Sequence, residues 1–464
     1  MILDVFYTDE SGTLTLPNEL VYGDYELHEV QTAEGYFLGS EAVSFTVDGK
    51  EEVITVEKFN VPQKGRISVQ KTGDTFASAA VSSSAYTDEN GNAIENLTTY
   101  TPIFSDGKLS GAVFQIIAGE DIITADGTVR ANAGDIVAEL VTDENGYAET
   151  DPLYLGKYEI KEIQAPDGYV LNGESQFIEL TYAGQEIEVR DTVNTSFVNE
   201  YQRAEISLEK IMENDESFNI YGKDCYTNVR FGLFAAEDLT AADGTVIPAD
   251  GLISEISLDE NMTAKFDVQL PFGKYYVQEI GTDEHYVLNG EKYLVTFEYQ
   301  GQDIQTVSID CGTFENRLKR GKIEGIKTNE SGDPLENALF GLFAMDCTEF
   351  TEENALMTAK SDDKGCFSFA DIPFGEYVIR ELSAPDGYIL SDESYPVTVS
   401  ENDEIIRIEI ENKPVTVEIS KRDADGNELK GAQMQLLDDK GTVVDEWTSD
   451  GTNHIVAKLS AGKY

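Results

Sequence analysis

YEIKEIQAPDGY, residues 158–169, decides the fold, because related segments recur along the chain. The other copies are YELHEVQTAEGY at 25–36, YYVQEIGTDEHY at 275–286 and YVIRELSAPDGY at 377–388, and a glycine lies two residues before each. We call these four stretches the glutamate segments. Alternating apolar residues that stop at Ala-Pro-Asp-Gly are typical of a β-strand entering a turn. A recurring element of this kind predicts a tandem array of repeats.

The fifth residue of each glutamate segment is a glutamate on an apolar face of the predicted strand. Side chains alternate between the two faces of a strand, so Tyr158, Ile160 and Glu162 point in the same direction. A carboxylate among apolar side chains is costly unless it is paired. Each glutamate is therefore expected to have a dedicated partner.

Two further elements recur around the glutamate segments. A short strand ending in lysine lies upstream, and a strand ending in asparagine lies downstream. The complete sets are Lys71–Glu162–Asn199, Lys210–Glu279–Asn316 and Lys327–Glu381–Asn412. The spacing from Glu to Asn is 37, 37 and 31 residues in these sets. Two sets are incomplete, one with Glu29 and Asn60 alone and the other with Lys421 alone.

The order of these elements divides the chain into five units. They are a leading partial unit (1–62), unit one (63–202), unit two (203–318), unit three (319–413) and a trailing partial unit (414–464). The chain is therefore expected to be a fragment of a longer array. The linkers are very short, for example residues 60–64, so neighbouring repeats are expected to be closely coupled.

The fold class follows from short alternating strands and turn signals. Dipeptides such as Asn90-Gly91 and Asn145-Gly146 separate the strands, and no long amphipathic helical pattern is found. We predict an all-β chain, a tandem array of antiparallel, Ig-like or prealbumin-like β-sandwiches.

Composition argues against several classes of partner. Asp and Glu number 88 against 33 Lys and Arg, a formal net charge of −55. Nucleic acids and anionic membranes need basic patches, so neither is an expected partner. No cofactor or metal site is predicted, because the three histidines lie far apart and no cysteines form a CxxC pair.

The repeats resemble the CnaB/SpaA-type domains of Gram-positive cell-wall-anchored surface proteins and pilins. The E-box of that family, Tyr-x-Leu-x-Glu-x-x-Ala-Pro-x-Gly-Tyr, is near-complete at 158–169 and 377–388. It is degraded at 275–286, where Gly-Thr-Asp-Glu-His replaces the Ala-Pro-x-Gly portion. The resemblance implies a prealbumin-like sandwich with an intramolecular Lys–Asn isopeptide bond. It assigns Lys71, Lys210 and Lys327 as nucleophiles, Asn199, Asn316 and Asn412 as acceptors, and Glu162, Glu279 and Glu381 as catalytic acids.

The chemistry explains why these residue types are needed. Burial lowers the pKa of a lysine, so that a neutral amine can attack, and it raises the pKa of a glutamate. The acid can then polarise the Asn carbonyl oxygen and pass a proton to the leaving ammonia. Each domain reacts once, so the chain is not an enzyme in the usual sense. A hydrogen-bonded polar cluster without bond formation is the alternative.

Two features leave alternatives open. The cysteines pair by unit, Cys225 with Cys311 and Cys347 with Cys366, so intra-unit disulfides and free buried thiols are both compatible with the sequence. An insertion of about forty residues, 72–110, is expected to be a surface loop and is the best place for a ligand contact.

Three functions fit this pattern. The first is a structural stalk on the cell surface, whose partners are neighbouring repeats of the same chain. The second is an adhesin that binds a host matrix protein or glycan through inserted loops. The third is a sortase-assembled pilin subunit, although a Tyr-Pro-Lys polymerisation site and a sorting signal are absent from this sequence. All three place the protein outside the cell and attached to the wall, with its signal peptide and sorting signal outside the fragment.

Overall fold

The computed structural model describes residues 2–87 and 93–464. The described residues form β-strands, with three 3₁₀ turns as their helical elements. The all-β prediction is therefore confirmed.

The leading partial unit contributes two small antiparallel sheets, β1 with β3 and β2 with β4. Its strands are β1 (Gly23–Leu27), β2 (Tyr36–Phe37), β3 (Val43–Val47) and β4 (Val61–Pro62). Much of this unit is exposed, including the side chains of Tyr22 and Phe59.

Unit one is a sandwich whose two sheets have the orders β11-β8-β14-β15 and β12-β6-β16. Its strands are β5 (Lys64–Gly65), β6 (Ile67–Thr87), β7 (Ala93–Lys108), β8 (Val113–Ala118), β9 (Ile122–Ile123), β10 (Val129–Ala131), β11 (Ile136–Val141), β12 (Tyr147–Glu149), β13 (Leu153–Tyr154), β14 (Gly156–Gln164), β15 (Gln176–Leu180) and β16 (Val193–Asn199). Alternating side chains of β6, β8 and β14 fill the space between the sheets.

Unit two repeats this arrangement with the sheets β22-β17-β25 and β21-β18-β23-β24. Its strands are β17 (Arg203–Met212), β18 (Arg230–Ala235), β19 (Leu239–Thr240), β20 (Val246–Ile247), β21 (Leu252–Ser257), β22 (Thr263–Phe266), β23 (Gly273–Gly281), β24 (Tyr293–Phe297) and β25 (Thr306–Asn316). The 3₁₀ turns Glu216–Phe218, Gly222–Asp224 and Tyr226–Asn228 lie between β17 and β18.

Unit three has the sheets β29-β26-β32 and β28-β27-β30-β31. Its strands are β26 (Arg320–Asn329), β27 (Leu339–Ala344), β28 (Met357–Lys360), β29 (Cys366–Pro373), β30 (Gly375–Ser383), β31 (Ser394–Val399) and β32 (Ile405–Asn412). The trailing partial unit pairs β33 (Thr416–Ile419) with β36 (His454–Ala457), and β34 (Lys430–Leu437) with β35 (Val443–Asp450).

One feature of the sheets differs from the antiparallel prediction. In units one, two and three the strand that carries the lysine, called the first strand below, pairs in parallel with the last strand, as β6 with β16, β17 with β25 and β26 with β32. The other strand pairs within these sandwiches are antiparallel. Local sequence patterns predict where a strand lies but not which strand it pairs with, so they do not predict this parallel pairing.

The insertion of unit one is not the expected loop. Residues 72–87 extend β6 and residues 93–108 form β7, and the two strands pair over a long antiparallel stretch, here called the hairpin. Phe76, Ala79 and Tyr100 pack against the hydrophobic core of unit two. The hairpin therefore links two units. The turn predicted at Asn90-Gly91 lies outside the described residues.

Each glutamate segment also contacts the linker that follows it. The backbone N–H of Gln63 donates to Gly35 O, that of Gln202 to Gly168 O, that of Lys319 to His285 O and that of Val415 to Gly387 O, at 2.8–3.0 Å. The two glutamines are buried and their side-chain amides bond to a turn of the following sandwich. These contacts agree with the close coupling predicted from the short linkers.

Candidate functional site: three buried lysine–glutamate–asparagine clusters

The parallel pairing of first and last strands brings each lysine close to its asparagine. In unit one, Lys71 lies opposite Phe197, and Asn199 lies opposite Gly73. The lysine and the asparagine are thus diagonal neighbours on one face of the sheet. Units two and three have the same register, with Lys210 opposite Phe314, Asn316 opposite Met212, Lys327 opposite Ile410 and Asn412 opposite Asn329.

The glutamates approach from the opposite sheet, on the central strands β14, β23 and β30. Each glutamate is register partner to a phenylalanine of the neighbouring core strand. The pairs are Glu162 with Phe114, Glu279 with Phe231 and Glu381 with Phe340. The same three rings lie 5.7–6.0 Å from the lysine nitrogens. The phenylalanine ring therefore helps to exclude water from each cluster.

In unit one all three side chains touch. Lys71 Nζ donates a hydrogen bond to Asn199 Oδ1 and lies 3.1 Å from Glu162 Oε1. Asn199 Nδ2 donates to the same Glu162 oxygen at 3.0 Å. The other carboxylate oxygen accepts the backbone N–H of Asn172 at 3.0 Å. The three side chains are at most 2% exposed, as the strand pattern predicted for Glu162.

Unit three has the same arrangement. Lys327 Nζ donates to Asn412 Oδ1 and lies 3.4 Å from Glu381 Oε1. Asn412 Nδ2 donates to both oxygens of Glu381, at 2.8 and 3.0 Å. The backbone N–H of Ser391 holds Glu381 Oε2 at 2.8 Å. The two units therefore have the same contacts among the reacting groups.

Unit two brings the three residues together with one contact missing. Lys210 Nζ lies 3.0 Å from Glu279 Oε1, and Asn316 Nδ2 donates to that oxygen at 2.8 Å. Asn316 Nδ2 also donates to Thr282 Oγ1 at 2.8 Å. Among the described residues, Asn316 Oδ1 has no hydrogen-bond partner, and the polar contact of Lys210 Nζ is its ion pair with Glu279. The direct lysine–asparagine hydrogen bond of the other units is not formed here.

Burial acts on the lysines as the sequence predicted. It lowers the pKa of Lys71, Lys210 and Lys327, because the charged ammonium loses its hydration, and the neighbouring glutamate opposes this shift. A larger fraction of neutral amine is therefore present at a given pH than for an exposed lysine.

The arrangement suits transfer of the asparagine acyl group to lysine. The amine would attack Asn Cγ, the Cγ–Nδ2 bond would break, and ammonia would leave. With the carboxamides oriented as they are, each glutamate contacts the leaving nitrogen, where it can deliver a proton. Polarisation by the glutamate would need contact with the Asn carbonyl oxygen, and in units one and three the lysine makes that contact instead.

The residues of the two incomplete sets make fewer contacts of this kind. Asn60 Nδ2 donates to Glu29 Oε1 and to Thr32 Oγ1, both at 2.7 Å. Lys421 is half-buried, and its Nζ lies 3.5 Å from the carbonyl oxygen of Arg422. Neither set contains all three groups in this chain.

The four cysteines are free thiols in the part of the chain that the structure describes. Cys311 is buried, Cys225 and Cys347 are half-buried, and Cys366 is exposed. The disulfides Cys225–Cys311 and Cys347–Cys366 are not formed. Burial raises the pKa of the Cys311 thiol to about 11.

Sequence reasoning missed several residues that shape the clusters. The core-strand phenylalanines recur in GAVFQ, VRFG and ALFG, so their repetition was the available signal. The backbone N–H donors follow each glutamate by ten residues.

A membrane-spanning helix was not found among the residues that the structure describes.

Comparison with protein families identifies the repeats. The model for the SpaA prealbumin-like fold domain matches residues 2–62, 104–194, 321–414 and 415–464, together more than half of the chain. The matched ranges omit 195–320, which contains the whole of unit two. A search of curated proteins found no match.

Among solved structures, the Bacillus anthracis TIE protein shares 21% identity with a TM-score of 0.52, and the match covers 88% of this chain and 65% of that one. The chain thus spans less than two thirds of that protein, and the likeness is one of fold. The major pilin BcpA of Bacillus cereus matches with 17% identity and a TM-score of 0.32, covering 76% of this chain and 100% of that one. The major pilin SpaD of Corynebacterium diphtheriae matches with 15% identity and a TM-score of 0.22, covering 76% and 98%. At such TM-scores neither pilin supports a conclusion about this chain.

Proposed function

Because this chain belongs to the SpaA prealbumin-like fold family, we propose that it is a structural stalk segment of a Gram-positive surface protein, stapled by Lys–Asn isopeptide bonds. The bonds would join Lys71 to Asn199, Lys210 to Asn316 and Lys327 to Asn412. The observation that supports this proposal is the buried contact of lysine, glutamate and asparagine between the first and last strands of unit one and unit three.

The proposed unit limits are 1–62, 63–202, 203–318, 319–413 and 414–464. Their support is the separate hydrophobic cores of the three complete units. The proposed partners are neighbouring repeats of the same chain, and the proposed location is outside the cell, attached to its wall. Host matrix protein or glycan as a ligand has less support, because part of the insertion packs on unit two.

The parallel pairing gives the bonds a mechanical role. Tension on the array pulls the start of a unit's first strand away from the end of its last strand. A bond from Lys71 to Asn199, which are 128 positions apart, carries that tension past the segment between them, which then cannot extend. At about 3.3–3.6 Å per residue, this withholds roughly 400 Å of chain.

Single-molecule stretching of the whole chain tests the stalk proposal. We expect units one and three to contribute only the extension of the residues outside their closed loops. Glu162→Ala should restore an unfolding step of roughly 400 Å. Full-length unfolding steps of every unit in the unsubstituted protein would overturn the proposal. Binding of the intact chain to host matrix protein, lost on changing exposed hairpin residues, would favour an adhesin instead.

A further inference from the structure

The residue three positions after each glutamate divides the four glutamate segments into two kinds. It is alanine in units one and three, at Ala165 and Ala384, and threonine in unit two and in the leading partial unit, at Thr282 and Thr32. The family E-box has alanine at this place, so threonine departs from the pattern.

The threonine hydroxyl contacts the reacting carboxamide in both cases where it occurs. Asn316 Nδ2 donates to Thr282 Oγ1 at 2.8 Å, and Asn60 Nδ2 donates to Thr32 Oγ1 at 2.7 Å. The corresponding asparagines of units one and three donate from Nδ2 to the glutamate alone, as far as the described residues show.

The carbonyl oxygen of the same carboxamide has a hydrogen-bond partner only in the two units that lack the threonine, as far as the described residues show. Asn199 Oδ1 and Asn412 Oδ1 accept a hydrogen bond from lysine, whereas Asn316 Oδ1 and Asn60 Oδ1 are buried with no partner in the described structure. The leading partial unit has no lysine to offer, so unit two is the informative case. There Lys210 is present and buried, yet it makes no hydrogen bond to Asn316.

We propose that Thr282 is a positioning residue that holds the Asn316 carboxamide away from Lys210, so that unit two forms its isopeptide bond more slowly than units one and three. This inference rests on the proposed function. The attack of Lys210 Nζ on Asn316 Cγ breaks the Cγ–Nδ2 bond, and a proton passes through Glu279 to the departing ammonia. The Thr282 hydrogen bond to Nδ2 must be broken or reoriented on the way. The free energy of one neutral hydrogen bond corresponds to a rate factor of roughly 3- to 10-fold.

The test follows ammonia loss in full-length chain made in a short pulse of cell-free synthesis. Peptide mapping by mass spectrometry at successive times assigns each bond to its unit. We expect units one and three to close first, and Thr282→Val to speed closure of unit two by roughly 3- to 10-fold. Thr282→Ser keeps the hydroxyl and should stay slow, and closure of units one and three should not change in either variant.

Two outcomes would overturn the inference. One is closure of unit two at the rate of unit three with Thr282 in place, and the other is a Thr282→Val chain that closes no faster than Thr282→Ser. If no unit loses ammonia, the stapling itself fails and not the role of Thr282. The Ser variant keeps the hydroxyl and the Val variant lacks it. Melting curves of both variants would reveal a loss of folding common to the two.

A second inference rests on a different cluster in unit two. Cys225, Asp283 and His285 bring a thiol, a carboxylate and an imidazole together, with one ligand atom of each within 4.8 Å of the others. Cys225 lies between the 3₁₀ turns Gly222–Asp224 and Tyr226–Asn228, and the other two residues replace part of the Ala-Pro-x-Gly turn. Both stretches depart from the sequence of the other units.

The surroundings hold these side chains in place. Asp283 Oδ1 lies 2.6 Å from His285 Nδ1, and Asn228 Nδ2 donates to Asp283 Oδ2 at 3.2 Å. The imidazole meets the ring of Phe374 edge to face with centroids 4.9 Å apart, and His285 O accepts the N–H of Lys319. The cluster therefore sits at the junction of units two and three.

We infer that these three residues bind a zinc ion, with water as a fourth ligand. Zinc bonds of about 2.0–2.3 Å place tetrahedral ligand atoms roughly 3.3–3.8 Å apart. That spacing lies between the 2.6 Å of the Asp283–His285 contact and the 4.8 Å within which all three ligand atoms lie. Binding displaces the thiol proton of Cys225 to solvent. Cys225 and the Asp283–His285 pair are far apart along the chain and no CxxC pair marks them, so sequence patterns do not predict this site.

Titration of the full chain with cobalt(II), a spectroscopic substitute for zinc, tests this inference. We expect a thiolate-to-cobalt charge-transfer band that zinc abolishes, and a zinc affinity at least about tenfold lower for Cys225→Ser and for His285→Asn. Cys347→Ser removes a half-buried thiol of unit three and should change neither. Absence of the band, or the same band in Cys225→Ser, would overturn the zinc site.

Discussion

A lysine and a glutamate that are both fully buried are expensive to keep as ions. Lys71 and Glu162 have no exposed side-chain surface, and their attraction must offset the hydration that both lose. Conversion of the lysine into an amide removes the ionisable amine altogether. The bond proposed here would thus relieve an unfavourable feature of the unreacted fold.

The glutamate can be removed from one unit without disturbing the others. Glu162→Gln should leave the Lys71–Asn199 bond unformed, because proton transfer to the leaving ammonia is lost, and one ammonia fewer should be released per chain. The open loop should also cost unit one about 4–5 kcal/mol of stability. Mass spectrometry and urea unfolding measure the two effects. Glu159→Gln, on the other face of β14, is the matched control and should release the full number.

The lowered lysine pKa predicts a pH dependence for an unlinked unit. In a Glu381→Gln chain, Lys327 stays a free buried amine whose folded-state pKa lies below its ordinary value of 10.5. Between these two pKa values the unfolded state binds more protons than the folded state. The free energy of unfolding of unit three therefore rises with pH, by up to about 1.4 kcal/mol for each pH unit.

Chemical denaturation of the Glu381→Gln chain at pH 7 and pH 9 measures this effect. The unsubstituted protein is the control, because its Lys327 is an amide and does not titrate. Equal changes of stability with pH in both proteins would contradict a depressed lysine pKa.

The residues of each set could be predicted from their order and spacing, whereas their immediate neighbours could not. Lysine, glutamate and asparagine recur as an ordered set, which a single sequence displays. The hydroxyl of Thr282 matters only because Asn316, 34 positions away, points at it. Such contacts depend on how sheets stack, which local periodicity does not encode.

At the scale of secondary-structure elements, a tight turn packs against the strand that carries a lysine nucleophile. Gly365 has a φ of +75°, and a Cβ there would lie 2.3 Å from the carbonyl oxygen of Lys327. The backbone N–H of Lys327 also donates a hydrogen bond to the carbonyl oxygen of Gly365 at 2.7 Å. The turn therefore fixes the strand that carries the nucleophile.

Gly365→Ala should destabilise unit three by about 3 kcal/mol or more, through both backbone strain and the clash with β26. Gly332→Ala is the matched control, because its φ is +82° and a Cβ there meets no described atom within 4 Å. The control should cost only about 1–2 kcal/mol. Calorimetry compares the two, and equal losses would contradict the steric role of Gly365.

The strands and their faces were predictable at this scale, while two long-range features were not. Alternation gave the Tyr158, Ile160 and Glu162 face correctly because it is a local property of β-strands. The insertion was expected to be a loop because Ser, Thr and Asn are common in loops. It forms strands because β6 simply continues past Lys71 and pairs with β7.

The whole molecule is coupled through the hairpin and the linkers. Ala242 and Asp243 of unit two donate backbone hydrogen bonds to Phe76 O and Ala77 O of the hairpin, at 3.0 and 3.1 Å. Tyr100 packs on the core of the same unit. Units one and two are therefore expected to move together.

Tyr100→Ser should loosen this coupling, because a large apolar contact is lost between the hairpin and unit two. The amide protons of Ala242 and Asp243 should then exchange with solvent at least about tenfold faster. Thr98→Ala, an exposed position on the same strand, is the control. Unchanged exchange in the Tyr100 variant would show that the hairpin does not hold the two units together.

The mass of the intact, fully matured chain tests the stapled array most directly. We expect a deficit of three ammonias from the mass calculated from the sequence, one for each complete Lys–Glu–Asn set, with the set of unit two closing last. A mass equal to the calculated value, with no ammonia lost, would contradict it.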